Sequence, residues 1–125
     1  METLMPFIEV TDSGPPHEIR QRATGTMTDG LCRAFAIKPE IVTCYYNSAP
    51  DYSYGHAGKH GKNAETFRIF IKIHAFPRDA PAKGEAARLI TAAVTEAYGT
   101  DAKNVIVYFI DRAPEDAFHA GFPSA

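Results

Sequence analysis

The sequence predicts an α+β fold in which two β-α-β units form one four-stranded mixed sheet with both helices on one face. Three observations lead to this prediction. Segments typical of strands and helices follow one another in the order β-α-β-β-α-β. Two similar segments, SAPDYSYGHAG and RAPEDAFHAG, follow the second and the fourth strand. The length of 125 residues suits a single domain with an internal repeat, at approximately 5–63 and 64–125.

The first unit begins with PFIEVT (6–11), a β-rich and partly alternating run that the turn-forming residues DSGPP end. From His17 to Phe35, apolar or small residues recur close to a helical period, which predicts a helix despite two internal glycines. IVTCYY (41–46) is β-rich and predicts the second strand. The polar, glycine-rich stretch 47–63 has no periodicity and predicts a loop, with room for a hairpin.

The second unit repeats this pattern. FRIFIKIHA (67–75) alternates apolar and polar residues as a half-buried strand does. Pro81 to Tyr98 places its apolar residues on one side of a helix, and NVIVYFI (104–110) predicts the last strand. Because the two strands of a β-α-β unit are parallel and their crossover is right-handed, both helices are expected on the same face of the sheet.

The opposite face of this sheet would be left without a covering layer. An amphipathic sheet with one bare face usually buries it against other subunits. We therefore expect a homo-oligomer with closed rotational symmetry, and specifically a homotrimer.

Composition argues against several classes of protein. Apolar residues make up 45% of the chain and the formal net charge is -2, so neither a disordered tail nor a nucleic-acid partner is expected. No apolar run approaches the roughly 20 residues of a membrane span, and the first ten residues lack the pattern of a signal peptide. We expect a cytoplasmic protein with no membrane partner.

Cysteine and histidine do not suggest a metal centre. Cys32 and Cys44 are too few for a disulfide scaffold or a thiolate site, and we expect them to be buried thiols. His56 and His60 are four residues apart, a spacing that presents two ligands together on a helix, but GHAGKHGKN is too rich in glycine to form one. We therefore predict no metal and no cofactor, and a loop at a pocket mouth or a subunit interface.

The residues Met5 and Pro6 stand directly before the first strand of this duplicated unit. A β-α-β unit that begins at Met-Pro and is duplicated within such a length resembles the tautomerase superfamily, which contains 4-oxalocrotonate tautomerase and macrophage migration inhibitory factor. The resemblance covers essentially the whole chain from Met5. NVIVYFIDRAPEDAFHAG is similar to the cis-3-chloroacrylic acid dehalogenase branch, whereas KPEIVTCYYNSAP and IHAFPRDAP are more similar to the malonate semialdehyde decarboxylase branch.

The resemblance implies that Pro6 is the general base or acid. A free secondary amine in an apolar pocket has its pKa lowered toward neutrality, because desolvation disfavours the cation. If translation begins at Met5 and that methionine is removed, Pro6 has such an amine. If the chain begins at Met1, the same nitrogen is an amide. The alternative interpretation is an ordinary proline at the start of a strand, a position that sheets tolerate.

Four further candidates follow from the same resemblance. Arg78 would bind the substrate carboxylate, Tyr108 would position substrate or water, His119 would shuttle a proton, and Glu40 would hold a water or a substrate hydroxyl. Each also has an ordinary interpretation: a solvated loop arginine, a core aromatic, a surface turn histidine and a solvated glutamate.

The implied activity is keto-enol proton transfer on a small 2-keto or enol carboxylic acid. The alternatives are a hydratase, a dehalogenase or a decarboxylase of a three-carbon acid, and a non-catalytic member in which Pro6 is not N-terminal. Both branches have a second arginine near Arg78, but Phe76 and Pro81 stand in the matching places.

Overall fold

The computed structural model describes residues 6–123. Two long helices, a four-stranded sheet and two small hairpins make up the fold. The helices are α1 (His17–Phe35) and α2 (Ala80–Tyr98). The strands are β1 (Phe7–Asp12), β2 (Thr43–Ser48), β3 (Gly55–His56), β4 (Lys59–His60), β5 (Ile69–Ala75), β6 (Val105–Asp111), β7 (Phe118–His119) and β8 (Phe122–Pro123).

The main sheet has the strand order β2-β1-β5-β6. Strands β1 and β2 are parallel, and so are β5 and β6, because each pair is joined by a crossover helix. The two units meet at β1 and β5, which pair antiparallel with Phe7 opposite His74 and Thr11 opposite Phe70. The predicted α+β fold with its mixed sheet is therefore confirmed.

The core lies between the sheet and the helix pair. Ile8 and Val10 from β1 and Ile71 and Ile73 from β5 have no exposed surface. The helices complete the core with side chains that are equally buried: Met27, Leu31, Ile90 and Val94. The alternation of buried and partly exposed positions along β1 and β5 leaves the other face of the sheet, the open face, without a covering layer in one chain.

The helices approach each other closely at Gly30. A Cβ atom placed there would lie 2.9 Å from the Cβ atom of Leu89, so only glycine allows this contact between α1 and α2. Helix α2 begins at the N-cap residue Asp79, whose side chain accepts a hydrogen bond from the backbone N–H of Ala82. It ends at Gly99, which adopts the left-handed conformation that favours glycine.

A buried carboxylate ties β1 to both helices. Asp12 is fully buried and accepts hydrogen bonds from the Arg20 guanidinium at 2.6 and 3.0 Å, from the Tyr98 hydroxyl at 2.7 Å and from the Gly14 N–H at 3.0 Å. Burial by itself would raise the pKa of Asp12, but the hydrogen bonds from Arg20, Tyr98 and Gly14 hold it below its ordinary value. The network satisfies a charge that would otherwise be costly to bury.

The two similar segments of sequence form equivalent hairpins. In each, a strand of two residues turns at an Ala-Gly pair: Ala57-Gly58 joins β3 to β4, and Ala120-Gly121 joins β7 to β8. All four residues have positive φ, which is the backbone of a type I′ turn. The predicted loop 47–63, which has room for a hairpin, therefore contains one, and the two segments share a backbone conformation as well as a similar sequence.

Two expectations need correction. The sequence predicts the second strand at 41–46, but residues Pro39–Ile41 form a 3₁₀ turn and β2 continues to Ser48. The cysteines are partly exposed rather than buried.

Neither of the two long helices within residues 6–123 is apolar enough over its length to cross a membrane.

Candidate active site

The topology gathers most of the candidate residues at one end of the sheet. The starts of β1 and β2 lie beside the ends of β5 and β6, because β1 and β5 are antiparallel and each is parallel to its other neighbour. We call this the Pro6 end of the sheet. Pro6 precedes β1 there, Glu40 precedes β2, Arg78 follows β5 and His119 follows β6.

Pro6 is held in place through its carbonyl group and its ring. The carbonyl oxygen accepts a hydrogen bond from the N–H of Thr43 at 3.4 Å, which continues the pairing of β1 with β2. The side chain of Pro6 is fully buried. Met1 and Met5, the two possible starts, lie outside the described residues.

Arg78 is partly buried in the turn between β5 and α2. Its guanidinium lies over the ring of Phe35, 4.5 Å from the centroid, and donates from Nη1 to the carbonyl oxygen of Phe76 at 2.8 Å. Burial lowers the pKa of Arg78, although an arginine remains charged at neutral pH. Among residues 6–123 it forms no ion pair. Its charge is therefore available to an anion at this end of the sheet.

His119 belongs to a cleft on the open-face side, which we call the aromatic cleft. The cleft has a volume of about 470 Å³ and is lined by the rings of Phe7, Tyr45 and Phe118 and by the polar side chains of Arg112, Asp116 and His119. Tyr45 is 55% exposed and Phe118 is 63% exposed. A cleft with aromatic walls and a few polar groups is the usual form of a small-molecule site.

A chain of hydrogen bonds leads from this cleft onto the open face. Nη2 of Arg112 lies 3.2 Å from Nδ1 of His74, and Nε2 of His74 lies 3.0 Å from Oε1 of Glu9. Because a guanidinium can only donate, Nδ1 must accept, and the proton of neutral His74 is then on Nε2, from which it is donated to Glu9. This bond from His74 is the main reason that the pKa of Glu9 lies below its ordinary value.

Tyr108 and Glu40 lie apart from the aromatic cleft. Tyr108 is 55% exposed on the open face, where its ring meets that of Phe70 edge-on at 5.4 Å, so it is not the core aromatic of the ordinary interpretation. Glu40 is exposed in the turn before β2. It lies close enough to Cys32 to add to the effects of burial and of Asp29, which together raise the pKa of that thiol.

Three residues of this arrangement were not among the candidates. Arg112 supplies a second arginine at the Pro6 end, from the segment after β6 rather than from the turn that contains Arg78. His74 and Glu9 connect it to the open face. One feature of the sequence could have identified His74. Polar and apolar residues alternate in FRIFIKIHA, which places Lys72 and His74 on the face opposite the core.

The sequence matches no protein-family profile and no protein of curated function. Solved structures are similar in fold. A wild-type fused 4-OT described as a symmetric trimer is 16% identical over 94% of this chain and 95% of that chain, with a TM-score of 0.84. A member of the cis-3-chloroacrylic acid dehalogenase family is 18% identical over 94% and 82%, with a TM-score of 0.79. Macrophage migration inhibitory factor of Toxoplasma gondii is 10% identical over 94% and 98%, with a TM-score of 0.77. The fold of this chain is therefore the tautomerase-superfamily fold.

Proposed function

We propose, from the tautomerase-superfamily fold, that this protein is a tautomerase that moves a proton between carbon and oxygen of a small 2-keto or enol carboxylic acid. The observation that carries the proposal is the position of a buried proline, Pro6, at the same end of the sheet as Arg78, whose charge has no ion-pair partner among residues 6–123. The proposal requires that Pro6 be the first residue of the mature chain.

We assign to Pro6 the removal of the proton from the substrate carbon. As a free secondary amine surrounded by buried side chains, it would be a weaker base than in water, because burial disfavours its charged form. It would then be neutral in a larger fraction of molecules at neutral pH, and it could remove a proton from the carbon next to the keto group. The electron pair of the broken C–H bond forms the C=C double bond of the enolate, and the π electrons of the carbonyl group move to its oxygen.

Arg78 is assigned the carboxylate of the substrate. A guanidinium binds a carboxylate through two parallel hydrogen bonds, and its charge also stabilises the negative charge that develops on the enolate. We assign to His119 the transfer of a proton to the enolate oxygen, because imidazole exchanges protons near neutral pH and this residue lines the aromatic cleft at the same end of the sheet. Proton transfer of this kind requires neither Tyr108 nor Glu40, which the hydratase, dehalogenase and decarboxylase alternatives would use.

The test compares two forms of the chain that differ only at the amino terminus. One begins at Met5, so that removal of the methionine exposes Pro6, and the other retains residues 1–4. Intact mass establishes the first residue of each. With phenylenolpyruvate as substrate, the form that begins with Pro6 should be active and the longer form at most weakly active, because an amide nitrogen has no basic electron pair.

A Pro6→Ala variant of the shorter form keeps a primary amine at the terminus and serves as the control for the ring amine. It should lose most of the activity. Equal activity in the short and long forms would contradict the proposal, since Pro6 could not then be the base. A folded, correctly trimmed short form with no activity toward any 2-keto or enol acid would contradict it as well.

A further inference from the structure

We propose that Phe35 is a positioning residue for Arg78: its ring holds the guanidinium through a cation–π contact and leaves the positive charge free for the substrate carboxylate. The role of Arg78 in this inference rests on the proposed function. The contact itself requires no substrate and no free amine at Pro6, so it can be tested separately.

The ring of Phe35 is held in a fixed position. Phe35 is the last residue of α1 and is only 7% exposed. The helix ends directly after it, where Ala36 adopts the left-handed conformation and the N–H groups of Ala36 and Ile37 both donate to the carbonyl oxygen of Cys32. The ring lies beside that of Phe109 from β6, with the centroids 6.3 Å apart. A ring fixed by both backbone and core has little freedom to move away from a cation.

Arg78 is held by groups that carry no formal charge. Its guanidinium carbon lies 4.5 Å from the centroid of the Phe35 ring, and Nη1 donates to the carbonyl oxygen of Phe76 at 2.8 Å. Both contacts attract a cation, but neither partner cancels its charge. A contact with the ring face uses no N–H donor, and a guanidinium has five, so donors remain for two parallel hydrogen bonds to a carboxylate.

Two acidic residues at this end of the sheet are engaged by other groups. Asp79, the neighbour of Arg78 in sequence, caps α2 and accepts a hydrogen bond from the N–H of Ala82 at 2.9 Å. Asp111, at the end of β6, forms an ion pair with Nζ of Lys83 at 2.9 Å. Neither carboxylate pairs with Arg78. An aromatic ring therefore takes the place that an acid would otherwise have beside this guanidinium.

Lys83 shows the other way in which a cation is held here. Its ammonium group lies 5.9 Å from the centroid of the Phe109 ring, and Asp111 neutralises it. Arg78 is closer to its ring and forms no ion pair within residues 6–123. Of these two cations beside neighbouring rings, Arg78 is the one that keeps its charge for an anion.

Fluorination of Phe35 tests the contact, because it changes the charge distribution of the ring with little change in its shape. Difluorophenylalanine weakens the negative potential at the ring face, and pentafluorophenylalanine reverses it. In the form that begins with Pro6, the Michaelis constant for phenylenolpyruvate should rise with the degree of fluorination. The pentafluoro ring should raise it by about three- to tenfold, as loss of a partly buried cation–π contact does. The value of kcat should change less, because the guanidinium remains near enough to stabilise the enolate.

Three comparisons separate this effect from packing. The same fluorination at Phe67, a partly buried ring that stacks on Tyr54 at the opposite end of the sheet, should leave both kinetic constants unchanged. The methyl ester of phenylenolpyruvate has no carboxylate charge, so its Michaelis constant should not depend on fluorination of Phe35. Phe35→Leu, which has no ring, should raise the Michaelis constant for the acid about as much as the pentafluoro ring does.

The Nε–H resonance of Arg78 in the NMR spectrum reports the contact without any substrate. In the form that retains residues 1–4, the ring current of Phe35 should shift this resonance upfield from that of the exposed Arg22, and Arg78→Lys identifies it. With the pentafluoro ring the guanidinium should leave the ring face. The resonance should then move toward that of Arg22.

Two results would overturn the inference. One is an Arg78 resonance that fluorination of Phe35 does not move. The other is a Michaelis constant that is insensitive to this fluorination although Arg78→Ala lowers kcat/KM. If Arg78→Ala leaves kcat/KM unchanged, the assignment of Arg78 in the proposed function fails, and the resonance alone decides whether Phe35 holds Arg78. Urea unfolding and sedimentation of each variant establish that fold and assembly are retained.

Discussion

The hydroxyl group of Tyr98 donates to the carboxylate of Asp12 across 2.7 Å and thereby connects the end of α2 to the end of β1, 86 residues away in sequence. Tyr98→Phe removes this donor and should lower the free energy of unfolding by about 1–2 kcal/mol, because a buried carboxylate loses one of its partners. Asp12→Ala should cost more, about 3–5 kcal/mol, since it leaves the guanidinium of Arg20 without its counter-ion. Urea unfolding measures both. Changes within experimental error would show that the network contributes nothing to stability.

The same carboxylate predicts how stability depends on pH. The folded-state pKa of Asp12 lies below its ordinary value of 3.8, so the unfolded chain takes up this proton first as the pH falls. The stabilisation is complete above the unfolded pKa and is lost as the pH decreases through the lower folded pKa. The urea concentration at the midpoint of unfolding should therefore decrease when the pH is lowered below 4. This decrease should be less steep in Asp12→Asn. If the urea midpoint of Asp12→Asn depended on pH as that of the natural chain does, the loss of stability in acid would be due to other carboxyl groups.

Two glycines of α1 should respond oppositely to alanine. At Gly30 the new Cβ atom would lie 2.9 Å from Leu89, so the helices must separate and the free energy of unfolding should fall by about 1–3 kcal/mol, as in an overpacked core. At Gly25 a Cβ atom meets nothing within 4 Å, and the better helix propensity should add about 0.5–1 kcal/mol. Thermal unfolding of the two variants side by side checks this, and effects of the same sign would contradict it.

Arg78 is expected to matter for turnover far more than for stability. If it binds the carboxylate, Arg78→Ala should raise the Michaelis constant for an enol acid and lower kcat/KM. The loss in kcat/KM should correspond to about 2–4 kcal/mol of transition-state binding free energy. Arg88→Ala is the control, since that residue is exposed on α2 and pairs with Glu85 at 2.8 Å. Steady-state kinetics on the form that begins with Pro6 gives both values. An unchanged kcat/KM would remove Arg78 from the site.

The open face predicts assembly. Tyr45 and Tyr108 are each 55% exposed on it in one chain, and a homotrimer whose sheets pack around a central axis would cover them. Tyr108→Glu should weaken this assembly, because a charge would be buried against another subunit, whereas Arg22→Glu on the exposed side of α1 should not. Sedimentation velocity at micromolar concentration distinguishes the species. A stable monomer of the unaltered chain would contradict the expectation.

The parts of the fold that sequence predicts are those governed by local pattern. Ile69, Ile71 and Ile73 alternate with polar or partly exposed residues, and this period of two is enough to identify both β5 and its buried face. The bounds of β2 were predicted less well. Residues Pro39–Ile41 form a 3₁₀ turn, so the β-branched Ile41 lies outside the strand. At the other end, Asn47 and Ser48 belong to the strand because β1 pairs with them, although neither residue favours strands by itself.

The candidate site was harder to predict because its members meet through long-range pairing. Arg112 reaches His74 only because β5 and β6 lie side by side in a particular register, with its backbone bonded to Ala75. Nothing within RAPEDAFHAG indicates that contact. Pro6 and Arg78 were identified from resemblance rather than from pattern, since a proline before a strand and an arginine in a turn each have ordinary explanations.

The antiparallel pairing of β1 with β5 also bears on how the chain is made. Within the part of the main sheet that residues 6–123 form, only this pairing joins the two β-α-β units, and its partners are roughly sixty residues apart. During synthesis the first unit leaves the ribosome well before β5 exists, so β1 is for that interval an uncovered edge strand with unpaired backbone groups. Nascent chains on neighbouring ribosomes of one messenger present the same edge to each other. Folding yield in the cell should therefore depend on the speed of translation between residues 48 and 75, a constraint on codon choice that the finished molecule no longer shows.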